Sequence, residues 1–283
     1  MKSNQYFFPD DQVQIINRYA VFSNLPDDPV FKNNVTPINK PIFCGGIINR
    51  INQNIYNFKI NDFVVFISHT QELISQMSQN IVFKFANMQD LKLISIIPYA
   101  SFAMKILRQI NPKFKQSVLI YGLDFFSILL FKLIKISGTK VGIINPKEKD
   151  EIDGVHYKKL INDEIINDRI NYKIDTLIIS SEFASKPDKY LEKIKFKQKY
   201  HLNQISIHDI GYDDPYYKMG IKYPYSYVRW DYHRNLKYFL SLYNKQIIKL
   251  DYLKIVHKKV GSFNQIKNSC KNIEEKGIIL LEY

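Results

Sequence analysis

The stretch that most constrains this chain is residues 117–145, SVLIYGLDFFSILLFKLIKISGTKVGIIN. Residues 118–121 are a short apolar run of strand length. Gly122 supplies a turn, and Phe125–Ile136 has the length and apolar spacing of a helix. Gly138 ends that helix, and residues 141–144 form a second apolar run rich in β-branched side chains. The order is strand, tight turn, helix, strand.

That order is the first half of a dinucleotide-binding fold, where glycines in the turn let a pyrophosphate approach the backbone at a helix N-terminus. Here Gly122 is kept, but Asp124 and Ser127 stand where the second and third glycines belong. Asn145 occupies the strand end where an acidic residue holds the ribose hydroxyls. Asparagine can still hydrogen-bond a hydroxyl, but it lacks the charge that disfavours a 2′-phosphate, and Lys147 favours one, so NADP stands beside NAD. Against either cofactor, an Asp124 carboxylate beside a pyrophosphate repels it by on the order of a few kcal/mol in a partly buried site, unless a cation intervenes. Two readings follow: a nicotinamide site, and a structural βαβ unit that has stopped binding nucleotide.

With 283 residues the chain holds one large or two modest domains. Its net charge of +13 raises nucleic acid as a partner. The excess is nearly all lysine, however, and the arginines are scattered at 18, 50, 108, 169, 229 and 234. A diffuse solvated surface is expected, with no nucleic-acid partner. Cys44 and Cys270 make neither a disulfide framework nor a metal cluster, which fits a reducing, cytoplasmic setting. Cys44, beside Gly45 and Gly46, reads as a buried small residue more than as a reactive thiol. The N-terminal residues show no apolar segment of signal-peptide length. The most apolar window, residues 118–136, contains Asp124, Lys132 and Lys135, so it reads as buried strand and helix and not as a membrane span.

Along the rest of the chain, residues 13–22 alternate as a strand and are followed by a polar loop with Pro26. Ile42–Ile51 is a strand in which Gly45 and Gly46 imply a bulge or a close backbone approach. Residues 58–62 turn into strand Phe63–Ser68, and short strands follow at 72–75 and 81–85. Such a series predicts a small β-barrel-like domain. Residues 88–110 are helical with a break at Pro98, and Asn111 and Pro112 close the helix. Further on, a short helix is expected at 159–167, strands at 175–180 and 202–210, an ordered Tyr- and Pro-rich loop at 212–227, a helix at 232–243 and a strand at 277–283.

Three phrases carry a family resemblance. Residues 58–66, FKINDFVVF, look like an F-K-x-G-D-x-V strand start; residues 118–146 look like a cofactor turn; and residues 221–235, IKYPYSYVRWDYHRN, resemble an I-D-Y-P-x-x-Y-V-R-W-x-x-x-R-N stretch. Together they resemble the medium-chain dehydrogenase/reductase superfamily, closest to the dehydrogenase half of bacterial bi-domain oxidoreductases. The final GIILLEY resembles the end of that half. The resemblance implies an α/β fold: a shortened GroES-like β-rich domain from residues 1–98 and 228–283, with a Rossmann-like domain from 99–227 between them. Its zinc cysteine would fall near Ser23 and its zinc histidine near Ile42, and neither ligand is present. No zinc is therefore expected.

The implied activity is a zinc-independent NAD(P)-linked oxidoreductase acting on a sugar or nucleotide-sugar in bacterial surface-polysaccharide biosynthesis. Gly122, Asp124, Ser127, Asn145 and Lys147 would hold the cofactor, and Ser23 and His69 would contact substrate. No histidine pair has HxH or HExxH spacing. Tyr227, Arg229, Trp230 and Arg234 would clamp and stack an anionic sugar; alternatively they pack a domain joint, the arginines pairing with acids such as Asp231. Two other functions compete: a non-catalytic binding or scaffold protein derived from the fold, and a sugar-modifying enzyme of another class reusing the cleft. The family is often dimeric through its nucleotide domain, but the short segment after Ser180 argues against assuming that particular homo-oligomer.

Overall fold

A computed structural model describes residues 10–23, 42–68, 73–85, 90–113, 115–144, 174–180, 196–201, 224–259 and 278–282. Its first strand, β1 (Gln12–Ser23), organises a seven-stranded sheet. β1 pairs antiparallel with β2 (Ile42–Ile51) along one edge. Its other edge is shared: β4 (Ile74–Ser78) takes the first half and β11 (Ile278–Glu282) the second. β3 (Phe63–Ser68) and β5 (Phe83–Lys84) extend the sheet beyond β2, and β10 (Ile255–Lys259) adds parallel to β11. The sheet thus takes strands from both ends of the described chain.

Gly45 and Gly46 sit where the pattern placed a close approach. A Cβ on Gly46 would lie 2.4 Å from the Ile16 carbonyl oxygen, beside a register shift between Asn17 and Tyr19. Two expectations shift. The strand expected at 72–75 is β4, a few residues later. Of residues 81–85, Phe83 and Lys84 form the ladder with β3 and the Phe85 N–H donates to the Phe63 carbonyl, whereas Ile81 closes a turn by donating to the Ser78 carbonyl.

Four parallel strands form the second sheet, in the order β7 (Lys140–Ile144), β6 (Ser117–Tyr121), β8 (Ile174–Ile179), β9 (Phe196–His201). β6 shows the burial of a strand covered on both faces. Val118 and Ile120 join the main core, and Leu119 and Tyr121 join a second cluster with Ile174, Leu177 and Ile179. β9 was not expected: three of its first five residues are polar and the whole stretch from Phe196 to Lys199 is exposed. The stretches expected at 159–167 and 202–210 lie outside the described residues.

Between the sheets runs α1 (Leu91–Ile110). Asp90 caps its start, and Asn111 ends it in the left-handed region with φ 45°. The helix continues through Pro98 but bends there by 50°, as a proline inside a helix requires. Among the described residues no single helix is long and apolar enough to cross a membrane. The two arms of α1 reach that test only together, and Ile96, Ile97, Tyr99 and Ala100 are fully buried in the core. α2 (Phe125–Ile136) and α3 (Tyr232–Asn244) both pack on α1. The main core consequently runs without a break from Tyr19 and Phe63 of the first sheet, through α1, to Ile120 and Ile178 of the second.

Candidate functional site

The parallel sheet has a point where chain order reverses. From β6 the chain goes to β7 on one side, then returns to β8 on the other. In open α/β sheets ligands bind at the strands' carboxyl ends where this reversal occurs. Here those ends are held together by the Ser180 N–H, which donates to the Tyr121 carbonyl at 2.9 Å. Above them the turn runs through Gly122, at φ 108°, a conformation that favours glycine, into the start of α2. Phe125 and Phe126 lie edge-on to Tyr99, with ring centroids 4.7 and 6.5 Å away, so α1 fixes where the turn sits.

Asp124 is the N-cap of α2. Its backbone is extended (φ −136°, ψ 173°), and its Oδ1 accepts the Ser127 N–H at 2.6 Å. The carboxylate therefore occupies a donor in the first turn, the part of the helix that meets a pyrophosphate in a dinucleotide site. Ser127, at the third glycine position, is fully buried between helix and sheet. Its Oγ has no hydrogen-bond partner among the described residues, and neither has that of Ser180, which is also fully buried. A serine at the third position is thus accommodated by the packing. At the second, where the ligand must come close to bare backbone, there is a carboxylate already bonded to the helix.

Of the other expected site residues, Ser23 ends β1, opposite Ile278 of β11. His69, Asn145 and Lys147 lie outside the described residues. Tyr227, Arg229, Trp230 and Arg234 come together at the start of α3. The Arg234 N–H donates to Asp231 Oδ1 at 2.8 Å, its Nη1 lies 3.2 Å from Asp231 Oδ2, and Nη1 also donates to the Val228 carbonyl. Asp231 is the buried N-cap of α3. The Trp230 ring lies edge-on to Tyr238, and the Arg108 guanidinium stacks on it 3.3 Å from the ring centroid. Arg108 Nε also donates to Asn235 Oδ1 at 2.8 Å. Trp230 therefore joins α1 to α3, and Arg234 ties the start of α3 to the segment before it. Arg229 and Tyr227 remain at the surface, where Arg229 Nε donates to the Tyr225 hydroxyl at 2.9 Å. Sequence reasoning missed Arg108, whose only local sign was a basic residue in the last turn of a helix.

A separate cavity of about 540 Å³ lies between β5, the start of α1 and α3, lined in part by Phe83, Lys84, Asp90, Lys237, Tyr243 and Lys245. Inside it the Tyr243 hydroxyl donates to Asp90 Oδ2 at 2.6 Å. Burial, followed by the Asp90 carboxylate, pushes the Tyr243 hydroxyl up to about 12. None of the lining residues belongs to the β6–α2 turn. Among the described residues, no three His, Cys, Asp or Glu side chains gather to hold a metal.

Solved structures align with this architecture over nearly the whole chain. An alcohol dehydrogenase from Pyrobaculum aerophilum aligns over 96% of this chain and 92% of its own, with a TM-score of 0.63 at 12% identity. The chain has the medium-chain dehydrogenase/reductase fold. A quinone oxidoreductase from Pseudomonas syringae pv. tomato covers all of this chain and 94% of its own (TM-score 0.57, 12% identity). CAD from Helicobacter pylori, solved with NADP(H), covers 98% and 91% (TM-score 0.58, 11% identity). The two sheets are the GroES-like and Rossmann-like parts of this fold. No protein-family model and no curated protein matches the sequence. A medium-chain fold implies a nicotinamide dinucleotide at the β6–α2 turn, and with Asp124 bonded to Ser127 the described residues there do not fit its pyrophosphate.

Proposed function

We propose that this chain is a non-catalytic binding or scaffold protein derived from the medium-chain dehydrogenase/reductase fold, with its dinucleotide turn closed. The observation that carries the reading is the Asp124 carboxylate on the Ser127 N–H at 2.6 Å. It takes up one donor of the first turn of α2 and sets a negative charge where a pyrophosphate would lie. A small-molecule role is supported by the cavity beside α3, where Lys237 and Lys245 suit an anion such as a charged sugar or nucleotide-sugar, the third lysine, Lys84, being paired with Asp62 at 2.7 Å. The absence of a cysteine at Ser23 and a histidine at Ile42 supports zinc independence.

A second reading keeps the activity: a zinc-independent NAD(P)-linked oxidoreductase of sugar or nucleotide-sugar metabolism, working in the cytoplasm on surface-polysaccharide precursors. It is favoured by Gly122 at φ 108°, by the intact reversal beside β6 and by the fold neighbour solved with NADP(H). Titration calorimetry with NAD, NADH, NADP and NADPH separates the two. No heat of binding at millimolar concentration is expected. Saturable binding of any of the four at micromolar concentration would remove the first reading and leave the second.

A further inference from the structure

We infer that a single side chain, Asp124, closes this turn, and that replacing it with glycine lets the chain bind a nicotinamide dinucleotide. This rests on the reading that the unaltered chain binds none. Three features of the turn point to it. Gly122 already holds the positive φ that the first turn position demands. Asp124 itself is extended, at φ −136° and ψ 173°, a conformation open to glycine, so removing the side chain calls for no change of backbone path. Ser127 at the third position is already packed, fully buried, against the sheet. Among the described residues of the turn, what stands between a phosphate and the α2 N-terminus is then the Asp124 side chain, bonded to the Ser127 N–H.

The obstacle has two parts, occupancy of the Ser127 N–H and negative charge, and they can be separated. Glycine removes both and is itself tolerated as a helix N-cap. Asparagine removes the charge but still caps, so it leaves the amide occupied. Two orphaned hydroxyls flank the turn as further potential partners: the Oγ atoms of Ser127 and Ser180, fully buried and without a partner among the described residues. Neither substitution alters them.

The experiment titrates the full chain, as wild type, Asp124→Gly and Asp124→Asn, with NADH and NADPH by calorimetry, after melting curves have established that all three are folded. The expected result is no binding by the wild type and saturable binding by Asp124→Gly at least about tenfold tighter than the wild-type detection limit, a difference of about 1.4 kcal/mol. Asp124→Asn is expected to bind more weakly than Asp124→Gly. Failure of a folded Asp124→Gly to bind overturns the inference and leaves the proposed function standing. Equal binding by the Asn and Gly variants overturns the role given to the occupied amide. Wild-type binding as tight as that of Asp124→Gly sinks the proposed function itself.

Discussion

The starts of α2 and α3 are built alike and have different consequences. In each, an aspartate in extended backbone accepts the N–H three residues on: Ser127 from Asp124 at 2.6 Å, Arg234 from Asp231 at 2.8 Å. Asp231 is 4% exposed and is also paired with the Arg234 guanidinium, so it closes a joint between α3 and its approach. Asp124 is only half-buried and stands over the carboxyl ends of β6 and β8. α1 is a third case, with one Asp90 oxygen on the Leu93 N–H and the other on the Tyr243 hydroxyl. Capping satisfies the same orphan donors every time. The fold around the cap decides whether that also excludes a ligand.

Stability measurements can break this comparison. Asp231→Ala is expected to cost most, about 2–3 kcal/mol, because it removes both a cap and the carboxylate paired with the Arg234 guanidinium. Urea denaturation would measure it, and a loss no larger than that for Asp124→Ala would show that the two caps do not differ. The Asp90 cap gives the next effect, read through pH. The Tyr243 hydroxyl is raised from 10.0 to about 12 in the folded chain, so the folded state holds its proton more tightly. The stabilisation is complete below pH 10 and is lost as pH rises from 10 through about 12. Tyr243→Phe should flatten that alkaline loss in thermal melts between pH 9 and 12. An unchanged slope would separate Tyr243 from the cap. Asp124→Ala is the smallest, about 1 kcal/mol, the ordinary value of a helix cap. A much larger loss in the same denaturation assay would mean that Asp124 supports the turn beyond capping it.

Much of this was legible in the sequence, for local reasons. β6, its turn and α2 were readable because their apolar spacing and Gly122 act within a few residues, and α3 because its buried face repeats through Tyr232, Leu236, Phe239 and Leu242. Asp124 was noticed as a lost glycine. Its other meaning, a capping aspartate directly before an apolar helix, was equally present in the spacing and went unread. Strands that escaped were those without apolar alternation: β9, largely exposed, and β10, whose IVHKK carries no buried residue. The stacking of Arg108 on Trp230 could not be read at all. It joins residues 122 positions apart, and nothing near either one announces the other.

β1 has a further consequence, for the timing of synthesis. Its second half needs β11, and β11 lies at residues 278–282, whereas β6, α2 and β7 are contiguous within residues 117–144. A ribosome releases the material for the βαβ unit long before it releases the partner of β1. Until then Tyr19, Ala20 and Val21 present an unpaired, apolar strand edge, which is the kind of surface that recruits other chains. A strand made before the βαβ unit is thus completed only after it, and its open edge is exposed to aggregation during that wait.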